Sequence, residues 1–320
     1  MYKEIIIADV GGTNGRFAIA KYKNATDKPK ISNIRVFSCP DYASFDAMME
    51  AYIDTLSEDI PNSAQLAIAG EMTPRYGNLW HFNWNISASQ LEENFNLNRV
   101  TLMNDYEAMV RSIPYLRAED YFNITDFDEG LIGGPYTVFG VGSGLGGSIA
   151  KPSPNGLEVV STEIGHVSFA PKTDLEIELL NFTKKSVKNV SNESYLSGPG
   201  LKRIHHFVNA MGTNSEKNVT ASEITSAALN RTDNDCIKTV EIFLDIFASV
   251  AGDIALSQGA RGGIYISGGI VPRLVDLIDR NRFAKRFNNK GPMKDYVSKI
   301  PVKVIMSDMP ALYGAACEIK

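Results

Sequence analysis

The chain has 320 residues with a formal net charge of −5, and 44% of them are hydrophobic. This composition is ordinary for a soluble globular protein of about two domains, and the acidic balance argues against nucleic-acid binding, which needs a basic face. No apolar run approaches the ~20 residues of a membrane span, and the start MYKEIIIADV has no signal-peptide pattern. We therefore expect a cytoplasmic protein with no nucleic-acid or membrane partner.

Strands and helices alternate along the first part of the chain, which is the pattern of an α/β layer fold. The apolar spacing predicts a helix at 44–58, and Ser87 is predicted to cap a second helix, ASQLEENF. The predicted strands are 5–10, 16–22, 34–39, 65–70, 78–84 and 99–103.

The second part of the chain begins with the same kind of unit as the first. YTVFGVGSGLGGSIA (136–150) predicts a strand, a glycine-rich turn and a strand, like the opening segment. Residues 173–258 are mostly helical, and 262–278 predicts a strand, a Gly-Gly turn and a helix. A last strand at 302–307 precedes the short helix PALYGAACEI. The repeated unit predicts two α/β lobes that are built alike.

The first glycine-rich turn, DVGGTNG, follows a buried run of isoleucines. Gly-Gly and Asn-Gly are common in hairpin turns, so a purely structural turn is one interpretation. Asp9 at the end of an apolar strand is costly without a partner such as a metal ion. Gly11, Gly12, Thr13 and Asn14 also form a longer turn than a hairpin needs, with amides that could bind an anion.

Two more glycine-rich turns follow. VGSGLGG (141–147) contains Gly142, Ser143, Gly144 and Gly146 between two predicted strands. ISGGIVPR contains Gly268 and Gly269 between a strand and a helix, where a nucleotide could approach the backbone. Each has an equally simple interpretation as a tight turn. Together, the first two loops could hold a polyphosphate from both sides.

Polar side chains follow at three further points. Asn104 and Asp105 end a buried strand in LMNDYEAM, at the sheet edge where α/β proteins bind ligands. Asp105 could be a general base, or it could simply cap the next helix. Glu163, His166 and Glu193 lie in STEIGHVSFAP and SNESYLSGPG. They suit a ligand rich in hydroxyl groups, or they are ordinary surface residues.

Six motifs in order identify a family. ADVGGTNGRFAIA, LMNDYEAM, VGSGLGGS, EIGHVSFAP, ESYLSGPG and SGGIVPR resemble the bacterial hexameric-type glucokinases of the sugar kinase, Hsp70 and actin superfamily, over about residues 5–316. The resemblance implies a two-lobed actin-like ATPase (ribonuclease H-like) α/β fold around a cleft. We expect a small lobe of 1–114 plus 308–320 and a large lobe of 115–307.

The resemblance also implies roles for the candidate residues. Asp105 would be the catalytic base, and glucose would be bound by Asn104, Glu163, His166 and Glu193. Mg²⁺ would lie near Asp9, through water. ATP would be bound by Asp9, Gly11, Gly12, Thr13, Asn14, Gly142, Ser143, Gly144, Gly146, Gly268 and Gly269.

The activity that the resemblance implies is ATP-dependent phosphorylation of D-glucose at its 6-hydroxyl. The products are glucose 6-phosphate, which feeds glycolysis, and ADP. We expect the protein to be a homodimer. The segment STEIGH departs from the family at Ser161, Thr162 and Ile164, where glycine is usual near the glutamate. That departure leaves a kinase for mannose or an amino sugar as one alternative. A non-catalytic ATP-binding sugar sensor of the same superfamily is the other.

Zinc is not expected in this chain. The related repressors and zinc-containing sugar kinases carry a cysteine cluster after their catalytic histidine, and this chain reads HVSFAPKTDLEIE there. Its three cysteines are widely spaced and odd in number, which fits a reduced compartment. The repressors also need an N-terminal DNA-binding domain, and the first predicted strand begins near residue 5.

Overall fold

The computed structural model describes residues 3–24, 28–56, 60–212 and 219–317, with the side chain of Trp80 excepted. By its internal contacts the chain divides into two compact units, Met1–Arg117 with Ser307–Lys320, and Ala118–Met306. The functional lobes expected as 1–114 plus 308–320 and as 115–307 stay a prediction.

The first unit is built on a five-stranded sheet in the order β3-β2-β1-β4-β8. The strands β1, β2 and β3 are antiparallel neighbours, whereas β4 and β8 run parallel to β1. A small antiparallel sheet, β5-β6-β7, follows β4. The elements are β1 (Lys3–Val10), β2 (Asn14–Tyr22), β3 (Lys30–Ser38), α1 (Phe45–Ile53), β4 (Ser63–Ile68), β5 (Glu71–Met72), β6 (Tyr76–Leu79), β7 (Trp84–Ser87), α2 (Ala88–Asn94), β8 (Arg99–Asn104) and α3 (Asp105–Ser112).

The second unit is built on a six-stranded sheet in the order β12-β11-β10-β13-β14-β9. Here β13 and β14 run parallel to β10, and the remaining pairs are antiparallel. The elements are β9 (Tyr121–Asn123), β10 (Tyr136–Val141), β11 (Leu145–Ser153), β12 (Gly156–Thr162), α4 (Asp174–Thr183), α5 (Gly198–Met211), α6 (Ala221–Leu229), α7 (Asn234–Ser257), β13 (Gly263–Ser267), α8 (Arg280–Phe287), α9 (Lys294–Val297) and β14 (Val302–Ile305).

The two large sheets share one topology. In each, three antiparallel strands are followed by two strands parallel to the first, so β1, β2, β3, β4 and β8 correspond to β10, β11, β12, β13 and β14. The glycine-rich turns recognised in the sequence connect the first two strands of each sheet. The repeated sequence unit is therefore a repeated structural unit, with the extra strand β9 added at one edge of the second sheet.

The last helix, α10 (Pro310–Ala315), returns to the first unit. It packs on α3 and covers the face of β1 that carries Ile5 and Ile7, while Ile6 faces a separate core under α1 and α2. A Cβ on Gly314 would overlap the carbonyl oxygen of Ala108, so glycine allows this close packing. Burial of both faces explains why β1 is a continuous apolar run rather than an alternating one.

The segment 78–84 was predicted to be one strand, and that prediction is wrong. The chain forms the end of β6, a 3-10 turn at Trp80–Phe82 and the start of β7, with Leu79 paired to Trp84. Asn83 has a φ of 52°, a left-handed conformation that asparagine adopts more readily than most residues. The chain therefore reverses direction where the apolar alternation suggested a continuous strand.

Smaller differences concern helix lengths. The helix predicted at 44–58 ends at Ile53, and residues 57–58 of that prediction lie outside the described residues. The helix predicted after Gly269 is the 3-10 helix Val271–Leu277. Ser87 caps α2 as predicted, accepting the amide of Gln90. Across the part of the chain that the structure describes, no helix combines the length and apolarity of a membrane span.

Candidate active site

The first glycine loop is held by its own backbone and by Cys39. The Gly11 amide donates to the Asn14 carbonyl at 3.0 Å, and the Cys39 amide donates to the Thr13 carbonyl at 2.8 Å. The buried Cys39 thiol lies 3.5 Å from the Gly11 carbonyl. Over the described ranges, the amides of Gly12 and Thr13 have no hydrogen-bond acceptor in the protein. The loop therefore turns carbonyls towards the protein and leaves two amides available for an anion.

Asp9 precedes this loop and faces Arg16 across the hairpin. The carboxylate Oδ2 lies 3.5 Å from Arg16 Nη1, and its side chain is 19% exposed. Burial raises the pKa of Asp9 and outweighs the opposing effect of the Arg16 charge. The single arginine thus leaves the Asp9 carboxylate incompletely compensated.

Asn104 and Asp105 lie at the same edge of this sheet as Asp9. Through the parallel register, Asp9 pairs with Ala67 on β4, and Ala67 pairs with Met103 on β8. Two strand spacings separate the backbones of β1 and β8, which is about 10 Å. The carboxyl ends of three parallel strands therefore bring Asp9 and Asp105 together with the first glycine loop.

The cap of α3 is Asn104 rather than Asp105. The Asn104 Oδ1 accepts the Tyr106 amide at 2.9 Å, and its Nδ2 donates to the Gly70 carbonyl at 3.0 Å. Asp105 is the first helical residue, and its Oδ1 also accepts the Tyr106 amide, at 3.0 Å. The capping role proposed for Asp105 belongs to its neighbour.

The pKa of Asp105 is raised to about 7, chiefly by burial and next by the negative charge of Asp9. The hydrogen bond from the Tyr106 amide acts in the opposite direction but is weaker. A carboxyl group with such a pKa can exchange a proton near neutral pH, which an exposed aspartate cannot do efficiently.

In the second unit, Glu193 contacts the second glycine loop. The Glu193 Oε2 accepts the amide of Leu145 at 2.8 Å, and a Cβ on Gly144 would lie 2.6 Å from the same oxygen. Gly142 and Gly198 extend these contacts, since the Gly198 amide donates to the Gly142 carbonyl at 2.8 Å. The Glu193 carboxylate therefore occupies space that a side chain at position 144 would fill.

The turn with Gly268 and Gly269 lies beside this loop. Gly268 has a φ of 89°, and a Cβ there would lie 2.5 Å from the Val141 carbonyl oxygen. The Ile270 amide donates to that carbonyl at 3.1 Å. The second loop, which includes Ser143 and Gly146, and the Gly-Gly turn are thus adjacent, with a Cβ on Gly142 lying 3.9 Å from the Gly269 amide nitrogen.

Glu163 precedes the 3-10 turn Ile164–His166 in the same unit. The side chains of Glu163 and His166 are 86% and 65% exposed, and His166 Nε2 lies 4.0 Å from Glu163 Oε2. Gly165 packs against the Leu145 carbonyl, where a Cβ would clash. The Asn192 amide group donates to the Ile164 carbonyl at 3.4 Å. The segments of Glu163, His166 and Glu193 are therefore adjacent, but Glu163 and His166 make few contacts of their own.

The residues of STEIGH that depart from the family pattern have structural roles in this fold. Ile164 is 6% exposed and belongs to the core of the second unit. Ser161 and Thr162 lie on β12, and the Thr162 hydroxyl donates to the Gly147 carbonyl at 3.1 Å. The Ile164 side chain thus packs inward, whereas the side chains of Glu163 and His166 are exposed.

Sequence reasoning missed Cys39 and His81. Cys39 contacts the first loop from β3's end, and the His81 ring lies against Gly12, where a Cβ would be 3.2 Å from ring carbons. Neither belongs to a motif, and each is separated from the loop by more than twenty residues. The one sequence signal for His81 is the glycine at position 12, because glycine allows another group to approach the backbone closely.

No group of three or more His, Cys, Asp or Glu side chains that could bind a metal ion occurs among the residues described above. A single carboxylate with bound phosphates suffices for Mg²⁺, which retains several water molecules in most sites. The predicted absence of zinc stays a prediction.

Comparison with known proteins identifies the family. A family model described as glucokinase matches residues 6–320. The glucokinase of Saccharophagus degradans is 33% identical over 313 residues, which cover 97% of this chain and 96% of that protein. Among solved structures, a glucokinase from an Antarctic psychrotroph is 31% identical with a TM-score of 0.88, covering 99% and 98% of the two chains.

A more distant neighbour is the glucokinase from Balamuthia mandrillaris in complex with glucose, 19% identical with a TM-score of 0.79 and coverage of 98% and 93%. At that identity the likeness concerns the fold alone. The two-lobed actin-like ATPase fold and the family predicted from the six motifs are confirmed. The chain belongs to the glucokinase family.

Proposed function

We propose that the protein transfers the γ-phosphoryl group of ATP to the 6-hydroxyl of D-glucose, giving glucose 6-phosphate and ADP for glycolysis. The observation that carries the proposal is Asp105, whose pKa of about 7 arises at the same sheet edge as the free amides of the first glycine loop. A base with a pKa near the working pH and an anion-binding loop are the two parts that phosphoryl transfer to an alcohol needs.

Asp105 acts as the general base. Its carboxylate accepts the proton of the glucose 6-hydroxyl as that oxygen forms a bond to the γ-phosphorus. The bond between the γ-phosphorus and the β,γ-bridging oxygen breaks, and ADP leaves with the electron pair. The transition state is loose, so most of the rate comes from positioning and charge stabilisation rather than from the base alone.

The first loop binds phosphoryl oxygens through the amides of Gly12 and Thr13. The Asp9 carboxylate fits a magnesium ion, because it is a hard oxygen ligand that Arg16 compensates only at 3.5 Å. Bound Mg²⁺ would neutralise phosphate charge there. Gly268 and Gly269 leave room for the adenosine, and the loop from Gly142 to Gly146 provides the second set of phosphate contacts.

Glucose is bound by Asn104, Glu163, His166 and Glu193. Asn104 retains one amide hydrogen and one lone pair after its two intramolecular hydrogen bonds, so it can still bind one hydroxyl. Glu163 and His166 are exposed, so a ligand can reach both side chains. The homodimer and the cytoplasmic location are part of the same proposal.

Formation of ADP should depend on both glucose and a divalent metal ion. We expect rapid ADP release from ATP only with glucose present, no turnover in EDTA, and recovery with Mg²⁺ alone. Mannose, glucosamine and N-acetylmannosamine serve as comparison sugars at equal concentration. Faster turnover with one of these would reassign the substrate, and slow ATP hydrolysis that glucose does not accelerate would favour a sugar sensor.

Asp105→Asn should retain the fold and glucose binding but lose turnover. Loss of a general base typically lowers kcat by about 10²–10⁴-fold. Asp54→Asn, an exposed substitution after the end of α1, is the matched control and should keep the parental kcat. A kcat for Asp105→Asn within tenfold of the parent would contradict the assignment of the base.

The same variant should be more stable than the parent at neutral pH. The pKa of Asp105 is about 7 in the folded protein and 3.8 for an unperturbed aspartate. The unfolded state therefore loses its proton first, and the folded state loses relative stability as the pH rises from about 4 to about 7. Asparagine cannot ionise, so it removes the free-energy cost of burying the Asp105 charge. Since one pKa unit corresponds to ~1.4 kcal/mol, that cost is a few kcal/mol.

The measurement is the free energy of unfolding in denaturant and EDTA, for parent and Asp105→Asn, at pH 4 and pH 8. We expect the variant to gain stability at pH 8 and to match the parent at pH 4. If the variant and the parent differed in unfolding free energy by the same amount at pH 4 and pH 8, Asp105 would have an ordinary pKa. Asp54→Asn again provides the control.

Glu163 and Glu193 should differ in their effects. Glu163→Gln should raise the KM for glucose and leave the KM for MgATP unchanged, because among the described residues no hydrogen bond joins its exposed side chain to the second glycine loop. Glu193→Ala should raise both, because it removes the partner of the Leu145 amide as well as a sugar ligand. Steady-state kinetics with each substrate varied in turn decides this. Unchanged KM values for glucose in both variants and in His166→Ala would place all three among surface residues.

A further inference from the structure

The donors that the first glycine loop offers a bound phosphate are all uncharged, since its side chains with donors are those of Thr13 and Asn14. Its two free amides belong to Gly12 and Thr13, and Arg16, the cation on the neighbouring strand, is paired with Asp9. The carbonyls of Gly11 and Thr13 are turned towards Cys39. A phosphoryl group at this loop has several charged oxygens, so a further donor beside the loop could bind one of them.

His81 lies against this loop. A Cβ on Gly12 would be 3.2 Å from both Cγ and Cδ2 of the His81 ring and 3.4 Å from Nδ1. These are the three nearest atoms, so the ring edge with Cε1 and Nε2 lies farther from that Cβ position. The residue is exposed, and within the described ranges its ring has no hydrogen-bond or ion-pair partner.

The position of His81 is set by the hairpin that replaced the predicted strand. The 3-10 turn Trp80–Phe82 is followed by Asn83 in its left-handed conformation, and Phe82 stacks on Trp84 with ring centroids 4.9 Å apart. Leu79 and Trp84 on either side are buried in the core of the first unit. A turn anchored at both ends presents the ring at a fixed place beside the loop.

We propose that His81 binds the nucleotide phosphates together with the first glycine loop, its Nε2–H donating a hydrogen bond to a phosphoryl oxygen. The inference rests on the proposed phosphoryl transfer and adds a residue that no sequence motif contains. It also explains the residue at position 12. Alanine there would push the ring away from the loop, whereas glycine lets the imidazole reach the anion that the Gly12 amide binds.

The first experiment compares His81→Ala and His81→Gln with the parent, and His206→Ala is the matched control. His206 is an exposed histidine on α5, in the unit that does not contain the first loop, and its ring lies near Phe182. Steady-state kinetics gives kcat and the KM values for MgATP and glucose, and calorimetry gives the Kd for MgADP without glucose. Circular dichroism and the melting temperature check that each variant is folded.

We expect His81→Ala to weaken MgADP binding and raise the KM for MgATP by roughly 10- to 100-fold, as for loss of a hydrogen bond to a charged group. The KM for glucose should change less than threefold. His81→Gln should recover part of the loss, because its amide can also donate. His206→Ala should behave as the parent.

A double-mutant cycle with Gly12→Ala tests the contact itself. If the methyl group acts by displacing the ring, Gly12→Ala should weaken MgADP binding, and adding His81→Ala to it should cost far less than His81→Ala alone. Additive losses would mean that the two residues act separately, and would overturn the proposed contact.

The outcomes separate this inference from the proposed function. A parent that binds MgADP but forms none with glucose would refute the glucokinase activity, while a weaker Kd in His81→Ala would still support the role of His81. Three outcomes would overturn the inference. The Kd for MgADP and the KM for MgATP of His81→Ala could equal those of His206→Ala, the change could be confined to the KM for glucose, or the parent could fail to bind MgADP.

Discussion

The candidate site depends on two carboxylates buried at one edge of a sheet. Asp9 and Asp105 end strands that are separated only by β4, and the negative charge of Asp9 raises the pKa of Asp105. Burial adds to that cost because it removes water from both. A folded protein keeps such an arrangement at the expense of stability, which is characteristic of sites selected for chemistry rather than for packing.

The two glycine loops occupy equivalent places in the repeated topology but are held differently. In the first loop, Cys39 binds carbonyl groups, so the amides of Gly12 and Thr13 remain available. In the second, the Glu193 carboxylate already accepts the Leu145 amide. A ligand that competes for the Glu193 carboxylate would therefore release an amide of the second loop. The contact between Glu193 and Leu145 joins a predicted sugar ligand to a predicted phosphate loop within one unit.

Sequence patterns predicted most of the strands because a buried strand is a run of apolar residues that is visible along the chain. The isoleucines of β1 and the apolar run of β8 were recognised as strands, and the loops between paired strands were marked by glycine. The segment 78–84 was misjudged because Trp80, Phe82 and Trp84 alternate as in a strand, while Asn83 reverses the chain. Alternation shows which residues are apolar, but it does not predict that one residue between them has a left-handed backbone conformation.

The sequence by itself determined the fold class, the family and the identity of the residues that carry charge and glycine at the ends of strands. These follow from local order along the chain: apolar runs, turn residues and six motifs in a fixed sequence. Only the tertiary structure decided that Asn104 rather than Asp105 caps α3, that Glu193 contacts the second loop and that Cys39 and His81 flank the first. It also decided the pKa of Asp105, because a pKa depends on burial and on neighbouring charges that lie far apart in the chain.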